Sequence, residues 1–168
     1  MAGFNTKTFA LHDDYMTPRS AWENIKQYIP KNKTIWEAFY GDGNSGNYLT
    51  DMGFNVIHEP NIDFFENDMG DIIVSNPPFS NAKLVLSRMK ILDKPFILIL
   101  PSCKLHTNYV REWRNAGLQI IIPRKRLQFI KIVDGVPITD ELDKKNCNFD
   151  CLYVCYKINL PQDIIWLE

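Results

Sequence analysis

The tetrapeptide Asn76-Pro77-Pro78-Phe79 directly follows the apolar run Asp71-Ile72-Ile73-Val74-Ser75, which reads as a buried strand. In an open α/β sheet, ligands bind outside the carboxyl ends of the strands, so a stiff polar and aromatic turn there is a candidate active site. The chemistry it suits is specific. An exocyclic amine on a flat ring is a poor nucleophile while its lone pair is delocalised. Two acceptors that take its N–H hydrogens favour the tetrahedral, more nucleophilic nitrogen, and Asn76 Oδ1 and the Pro77 carbonyl are candidates for the pair. Pro77 and Pro78 fix φ and lack N–H donors, which stiffens the turn. Phe79 offers a ring to stack on a flat substrate. Asn and Pro also serve as plain turn residues, so the reading draws on a second motif.

That motif lies upstream. Thr34-Ile35-Trp36-Glu37-Ala38-Phe39-Tyr40-Gly41-Asp42-Gly43-Asn44-Ser45-Gly46 reads as a strand running into a glycine-rich turn, with a helix beginning near Ser45. Glycines let the backbone approach a ligand closely, and an acid at the strand end can bind an ammonium or hydroxyl group. The next strand, Phe54-Asn55-Val56-Ile57-His58, ends at Glu59, where a carboxylate can accept from both hydroxyls of a ribose.

Together these residues resemble the S-adenosylmethionine-dependent amino-methyltransferases, in particular the adenine-N6 group with its Asn/Asp-Pro-Pro-Phe/Tyr/Trp motif. The resemblance covers most of the chain, and the order of motifs is that of phage-type and related viral DNA adenine methylases. Asp14-Tyr15-Met16-Thr17-Pro18 resembles the amino-terminal motif that closes over the methionine part of the cofactor. Glu37 to Gly43 resembles the first cofactor motif, with Glu37-Ala38 where Asp-Pro is commoner. The resemblance implies S-adenosylmethionine as cofactor, held by Tyr15, Thr17, Glu37, Phe39, Gly41 and Gly43, with Glu59 on the ribose and Asp63 and Phe64 at the adenine. It implies Asn76, Pro77, Pro78 and Phe79 as the catalytic set, with no metal. His12, His58 and His106 belong to none of these motifs.

The elements that must position these residues alternate between helix and strand. Helix 17–29 is expected to start with a Thr17 cap and Pro18 in its first turn and to stop at Pro30. Strands are expected at 34–39, 54–58, 71–75, 95–100, 118–123 and 150–157, with helices at 81–91 and 105–116. The pattern favours a largely parallel sheet covered on both faces. The implied fold is α/β and Rossmann-like, a class I methyltransferase fold with a mostly parallel seven-stranded sheet and an antiparallel last strand. A short strand near 62–64 would complete the seven.

Composition suits one soluble domain over 1–168. A chain of 168 residues that is 45% hydrophobic can bury one substantial core. No apolar run approaches membrane-spanning length, and residues 1–7 lack a signal-peptide pattern, so an intracellular, cytoplasmic protein with no membrane partner is expected, in the host cell if the chain is viral. Cys103, Cys147, Cys151 and Cys155 form no C-x-x-C pair and read as free thiols.

The net charge is −1, but it is uneven. Residues 101–131 carry seven basic side chains against the single acid Glu112, an excess that suits a phosphate backbone. Lys104, Arg114, Arg124, Lys125 and Arg126 are the candidate nucleic-acid contacts. Phe149, ahead of Phe129 and Tyr153, is the candidate for the opposite face of a base sandwich. Segment 124–149 is expected to be a substrate-facing hairpin or loop, since the chain leaves no room for a separate recognition domain. A base inside a duplex is out of reach of the tetrapeptide, so a DNA substrate must be flipped out or single-stranded. DNA is expected ahead of RNA. Transfer to adenine in RNA or to a protein glutamine amide, a non-catalytic binding subunit, and a homodimer all remain open on the residues alone.

Overall fold

The computed structural model describes residues 15–133, 136–138 and 149–168. Asp14, His12, Cys147 and the charged segment 140–145 lie outside the described residues. Ten strands and four α-helices are described: β1 (Tyr15–Met16), α1 (Arg19–Glu23), β2 (Thr34–Trp36), α2 (Asn44–Asp51), β3 (Asn55–Ile57), β4 (Ile72–Ser75), α3 (Ala82–Leu92), β5 (Phe96–Pro101), α4 (Asn108–Arg111), β6 (Gln119–Ile122), β7 (Ile130–Val133), β8 (Val136–Pro137), β9 (Cys151–Tyr156) and β10 (Ile164–Trp166).

Seven of these strands form one sheet in the order β10-β6-β9-β5-β4-β2-β3. It is parallel throughout except for β9, which runs antiparallel to both β5 and β6. The central strands β4, β5 and β9 are buried on both faces, which is why they read as continuous apolar runs rather than alternations. Along β9 the side chains divide between the two layers. Cys151, Tyr153 and Cys155 join the core beneath α1 and α2 with Trp22, Ile25 and Leu49, while Leu152, Val154 and Tyr156 join the core beneath α3 and α4 with Leu86, Met89 and Trp113. Cys151 and Cys155 are buried, and Cys103 is half-buried.

Several expected elements differ. No strand forms at 62–64; residues 63–67 make a turn in which the Asp63 carboxylate accepts from Phe65 N–H at 2.7 Å. The seventh strand is instead β10 at the opposite edge, so the antiparallel strand is not the last in the chain. The helix expected over 17–29 shortens to α1 and tightens into a 3-10 turn at Lys26–Tyr28. Thr17 does not cap it, because Pro18 occupies the N-cap position and the Thr17 hydroxyl is committed elsewhere. The helix expected over 105–116 is α4 flanked by 3-10 turns at Ser102–Lys104 and Arg114–Ala116.

A second, three-stranded sheet forms in the order β1-β7-β8. Tyr15 pairs with Lys131 and Met16 with Ile130. The β7–β8 hairpin falls inside the segment expected to face the substrate. No helix among the described residues is long and apolar enough to cross a membrane.

Candidate active site at the carboxyl edge of the sheet

Strands β2 and β4 are adjacent and parallel, with Ile35 opposite Ile72 and Trp36 opposite Ile73. The chain leaves β2 for β3 on one side, while β4 lies on the other, so the strand order reverses here. The crevice outside the carboxyl ends at such a reversal is where open α/β sheets bind ligands. Glu37 follows β2 and Asn76 follows β4, so this adjacency brings two motifs 39 positions apart to one edge. The small sheet adds Tyr15 and Met16 from β1 and Phe129 from the residue before β7.

The result is a cavity of about 520 Å³, bounded among others by Tyr15, Thr17, Glu37, Phe39, Gly41, Asn76 and Phe129. Met16, Tyr40, Asp42, Ser45, Pro60, Pro77, Pro78 and Phe79 also line it.

Two buried polar atoms on this wall lack a partner. Asn76 donates from Nδ2 to Thr17 Oγ1 at 2.9 Å, which fixes the amide plane and leaves Oδ1 buried with no hydrogen bond. Glu37 is 2% exposed; its Oε1 accepts a short hydrogen bond from Ser75 Oγ, while Oε2 is buried and unpartnered. Ser75 Oγ also accepts from Phe39 N–H at 3.3 Å. Burial pushes the Glu37 carboxyl up to about 8, against the opposing pull of the Ser75 and Phe39 hydrogen bonds, and the nearby Asp42 adds to the rise. Buried polar groups without partners are uncommon and costly, and two such oxygens on one cavity wall mark the place where a ligand would supply the missing partners.

The glycine turn is built by backbone constraint. Gly43 has φ +79°, and a Cβ there would meet Tyr40 Oη at 2.7 Å. Its N–H donates to the Tyr40 carbonyl at 2.8 Å, and the Asp42 carboxylate accepts from Asn44 N–H at 3.0 Å, closing the entry to α2. Gly46 lets α2 approach β3: a Cβ there would lie 2.2 Å from the His58 ring. Trp22 Nε1 donates to Ser45 Oγ at 3.1 Å, which ties α1 to the same turn.

The other expected site residues divide. Pro78 closes a 3-10 turn by accepting from Asn81 N–H at 3.0 Å. Phe79 is buried; its ring packs edge-on against Phe129 at 6.1 Å and Phe149 at 5.2 Å. Phe149 therefore sits against Phe79 rather than across a gap from it, and Phe129 is the member of this trio, besides Phe79, that reaches the cavity wall. Tyr153 is wholly buried and donates its hydroxyl to the Ala21 carbonyl at 2.6 Å. Phe64 is core, its ring tilted against Trp36 at 5.6 Å and Phe39 at 4.9 Å, so it supports Phe39 rather than lining the cavity. Glu59 and Asp63 are exposed beyond β3, and of that segment Pro60 reaches the wall.

The basic stretch divides too. Lys104 lies just past the carboxyl end of β5, and Arg124 to Arg126 just past that of β6, on the cavity's edge of the sheet. Arg114 follows α4 and precedes β6, so the crossover has already carried it back toward the opposite edge. Arg126 pairs with Asp150 at 2.6 Å.

Ser75 was not singled out by sequence reasoning. The available signal was its polarity at the last position of an apolar strand, which only a partner such as Glu37 makes tolerable when buried. Among the described residues, no cluster of three or more His, Cys, Asp or Glu side chains could hold a metal ion. No protein-family model and no curated protein matches the chain.

Proposed function

We propose that this chain is an S-adenosylmethionine-dependent amino-methyltransferase that methylates N6 of adenine in DNA. The observation that carries the reading is the Asn76 carboxamide: its nitrogen is held by Thr17, and its oxygen is buried, unpartnered and set at the end of β4 beside the cavity. That is the acceptor an exocyclic amine needs, presented in one orientation before any substrate arrives. A mostly parallel sheet with one antiparallel strand accords with the methyltransferase resemblance.

The residues present fit the cofactor. Glu37 Oε2 is an unsatisfied carboxyl oxygen on the cavity wall that Tyr15, Thr17, Phe39 and Gly41 share, next to a turn that Gly43 makes at φ +79°. These residues would hold S-adenosylmethionine, which when bound supplies a methyl group on a sulfonium centre. The chain's own part is to bind, orient and exclude water. Asn76 Oδ1, with the Pro77 carbonyl, accepts the N–H hydrogens of the target amine, which favours the nucleophilic geometry of its nitrogen. The stiff Pro77-Pro78 turn holds these acceptors without reorganisation. Phe79 and Phe129 form an apolar wall for the flat base, and holding the reacting groups in one arrangement contributes most of the rate. The amine's surplus proton passes to water after transfer.

The test is direct. The protein is incubated with labelled S-adenosylmethionine and, separately, duplex DNA, single-stranded DNA, RNA and a release-factor protein, followed by digestion to nucleosides. Label in N6-methyldeoxyadenosine is expected. Label confined to RNA or to a glutamine amide overturns the substrate, and no label in any of them overturns the reading.

A further inference from the structure

We propose that the groove at the carboxyl ends of β6 and β10 binds a single-stranded stretch of nucleic acid, with Trp166 as a stacking platform for one base and Arg124 and Lys125 as phosphate contacts. It rests on the substrate class proposed above and extends it to nucleotides flanking the target.

The groove measures about 380 Å³ and is bounded by Gln27, Tyr28, Arg124, Lys125, Trp166 and Glu168, among others. Trp166 is 71% exposed, whereas Trp22, Trp36 and Trp113 are all buried in the cores. Its position is firmly set. Trp166 lies opposite Ile122 in the β10–β6 register, and the N–H of Leu167 donates to the Ile122 carbonyl at 3.0 Å. Ile165, between the exposed Ile164 and Trp166, is buried in the core, so slipping β10 by one residue would bury the indole and expose Ile165. The packing thus holds a large flat ring outward on a rigid edge strand.

Arg124 and Lys125 leave β6 two and three residues past Ile122, are exposed, and form no ion pair among the described residues. Their neighbour Arg126 is paired with Asp150. Against these two cations, among the described residues, the groove wall carries one acidic side chain, Glu168. An aromatic face beside uncommitted cations is the combination that binds single strands, because every base has a face to stack and every nucleotide a phosphate. A duplex hides the base faces, so the platform selects unpaired nucleotides.

The groove also connects with the active site. β10 runs parallel to β6, and β6 is antiparallel to β9, which is itself antiparallel to β5. The carboxyl ends of β6 and β10 therefore lie on the same edge as those of β2 and β4. The segment from Arg124 to Phe129 touches the groove at its start and the 520 Å³ cavity at its end, a span of at most about 18 Å. β10 lies four strand spacings from β4, about 19 Å, so a single strand whose target base enters the cavity meets Trp166 a few nucleotides away.

The test uses the full chain and its Trp166→Ala and Trp166→Phe variants. Binding of a fluorescein-labelled single-stranded adenine-containing 16-mer, and of the same sequence as a duplex, is followed by anisotropy, with tryptophan emission followed in parallel using unlabelled strands. The expected results are quenching of the parent's emission by the single strand, a loss of about 5- to 100-fold in single-strand affinity in Trp166→Ala, near-parent affinity in Trp166→Phe, and a smaller effect on the duplex. A Trp166→Ala protein that binds the single strand within two-fold of the parent overturns the proposal. The methylation assay reads separately. Trp166-dependent binding without methyl transfer sustains the groove and overturns the activity, whereas adenine methylation with Trp166-independent binding overturns the groove alone.

Discussion

In the folded protein the Glu37 carboxyl keeps its proton up to about pH 8, whereas an unperturbed side chain releases it near 4.5. Between these values the unfolded chain binds fewer protons than the folded one, so stability falls as pH rises. This contribution is fully present below about 4.5 and is lost as pH rises through about 8. A shift from 4.5 to about 8, at about 1.4 kcal/mol per unit, corresponds to about 5 kcal/mol, a large share of a domain's total stability. Glu37→Gln keeps the shape of the side chain and an oxygen for Ser75, but it cannot ionise. Urea unfolding of both proteins at pH 5, 6, 7 and 8 is expected to show a parent midpoint that drops with pH relative to the variant. The gap should grow to several kcal/mol at pH 8. Profiles that run parallel from pH 5 to 8 would refute the reasoning. If a cationic ligand group then meets Oε2, binding favours the carboxylate and releases a proton at pH 7, which calorimetry in two buffers of different ionisation enthalpy measures directly.

Four further outcomes are expected. Asn76→Ala should lower turnover by about 10²–10³-fold with cofactor affinity nearly unchanged, as read by steady-state kinetics beside calorimetry; near-parent turnover would remove Asn76 from the chemistry. Phe79→Ala should cost about 3–5 kcal/mol of stability as well as substrate affinity, because the ring is packed against both Phe129 and Phe149; an unchanged urea midpoint would contradict that packing. Gly43→Ala should cost about 1–3 kcal/mol through its positive φ, with the contact to Tyr40 Oη adding to this, and a thermal melt within a degree of the parent would count against the strained turn. Removing charge at Arg124 and Lys125 together should reduce the slope of log affinity against log salt by roughly one to two units without affecting cofactor binding, and an unchanged slope would move the phosphate track to other cations.

Much of the site was legible because its parts are local. Asn76-Pro77-Pro78-Phe79 follows an apolar run that does form a buried strand, and Gly41-Asp42-Gly43 does turn a strand into a helix, since proline geometry and positive φ act within a few residues. Thr17 shows where local reasoning stops. Its type and its place before Pro18 suit a helix cap, yet its hydroxyl serves Asn76, 59 positions away. Phe149 and Phe64 show the same limit, because an aromatic residue beside a motif can face the ligand or stand behind the residue that does. Spacing alone does not distinguish the two.

By itself the sequence determined the alternation of helix and strand, the stiffness of the two motif turns and the chemistry their side chains can perform, all of which depend on near neighbours. The tertiary structure decided the rest. Pairing of β2 with β4 brought Glu37 and Ser75 together, and it is the burial of Glu37, against the pull of the Ser75 hydrogen bond, that holds the carboxyl protonated toward pH 8. The pairing of β1 with β7 set Phe129 at the cavity, and a three-residue edge strand, too short to announce itself by periodicity, turned Trp166 outward beside Arg124 and Lys125. Strand pairing joins residues by register rather than by distance along the chain, so burial, orphaned acceptors and shifted protonation arise only once the sheet has formed.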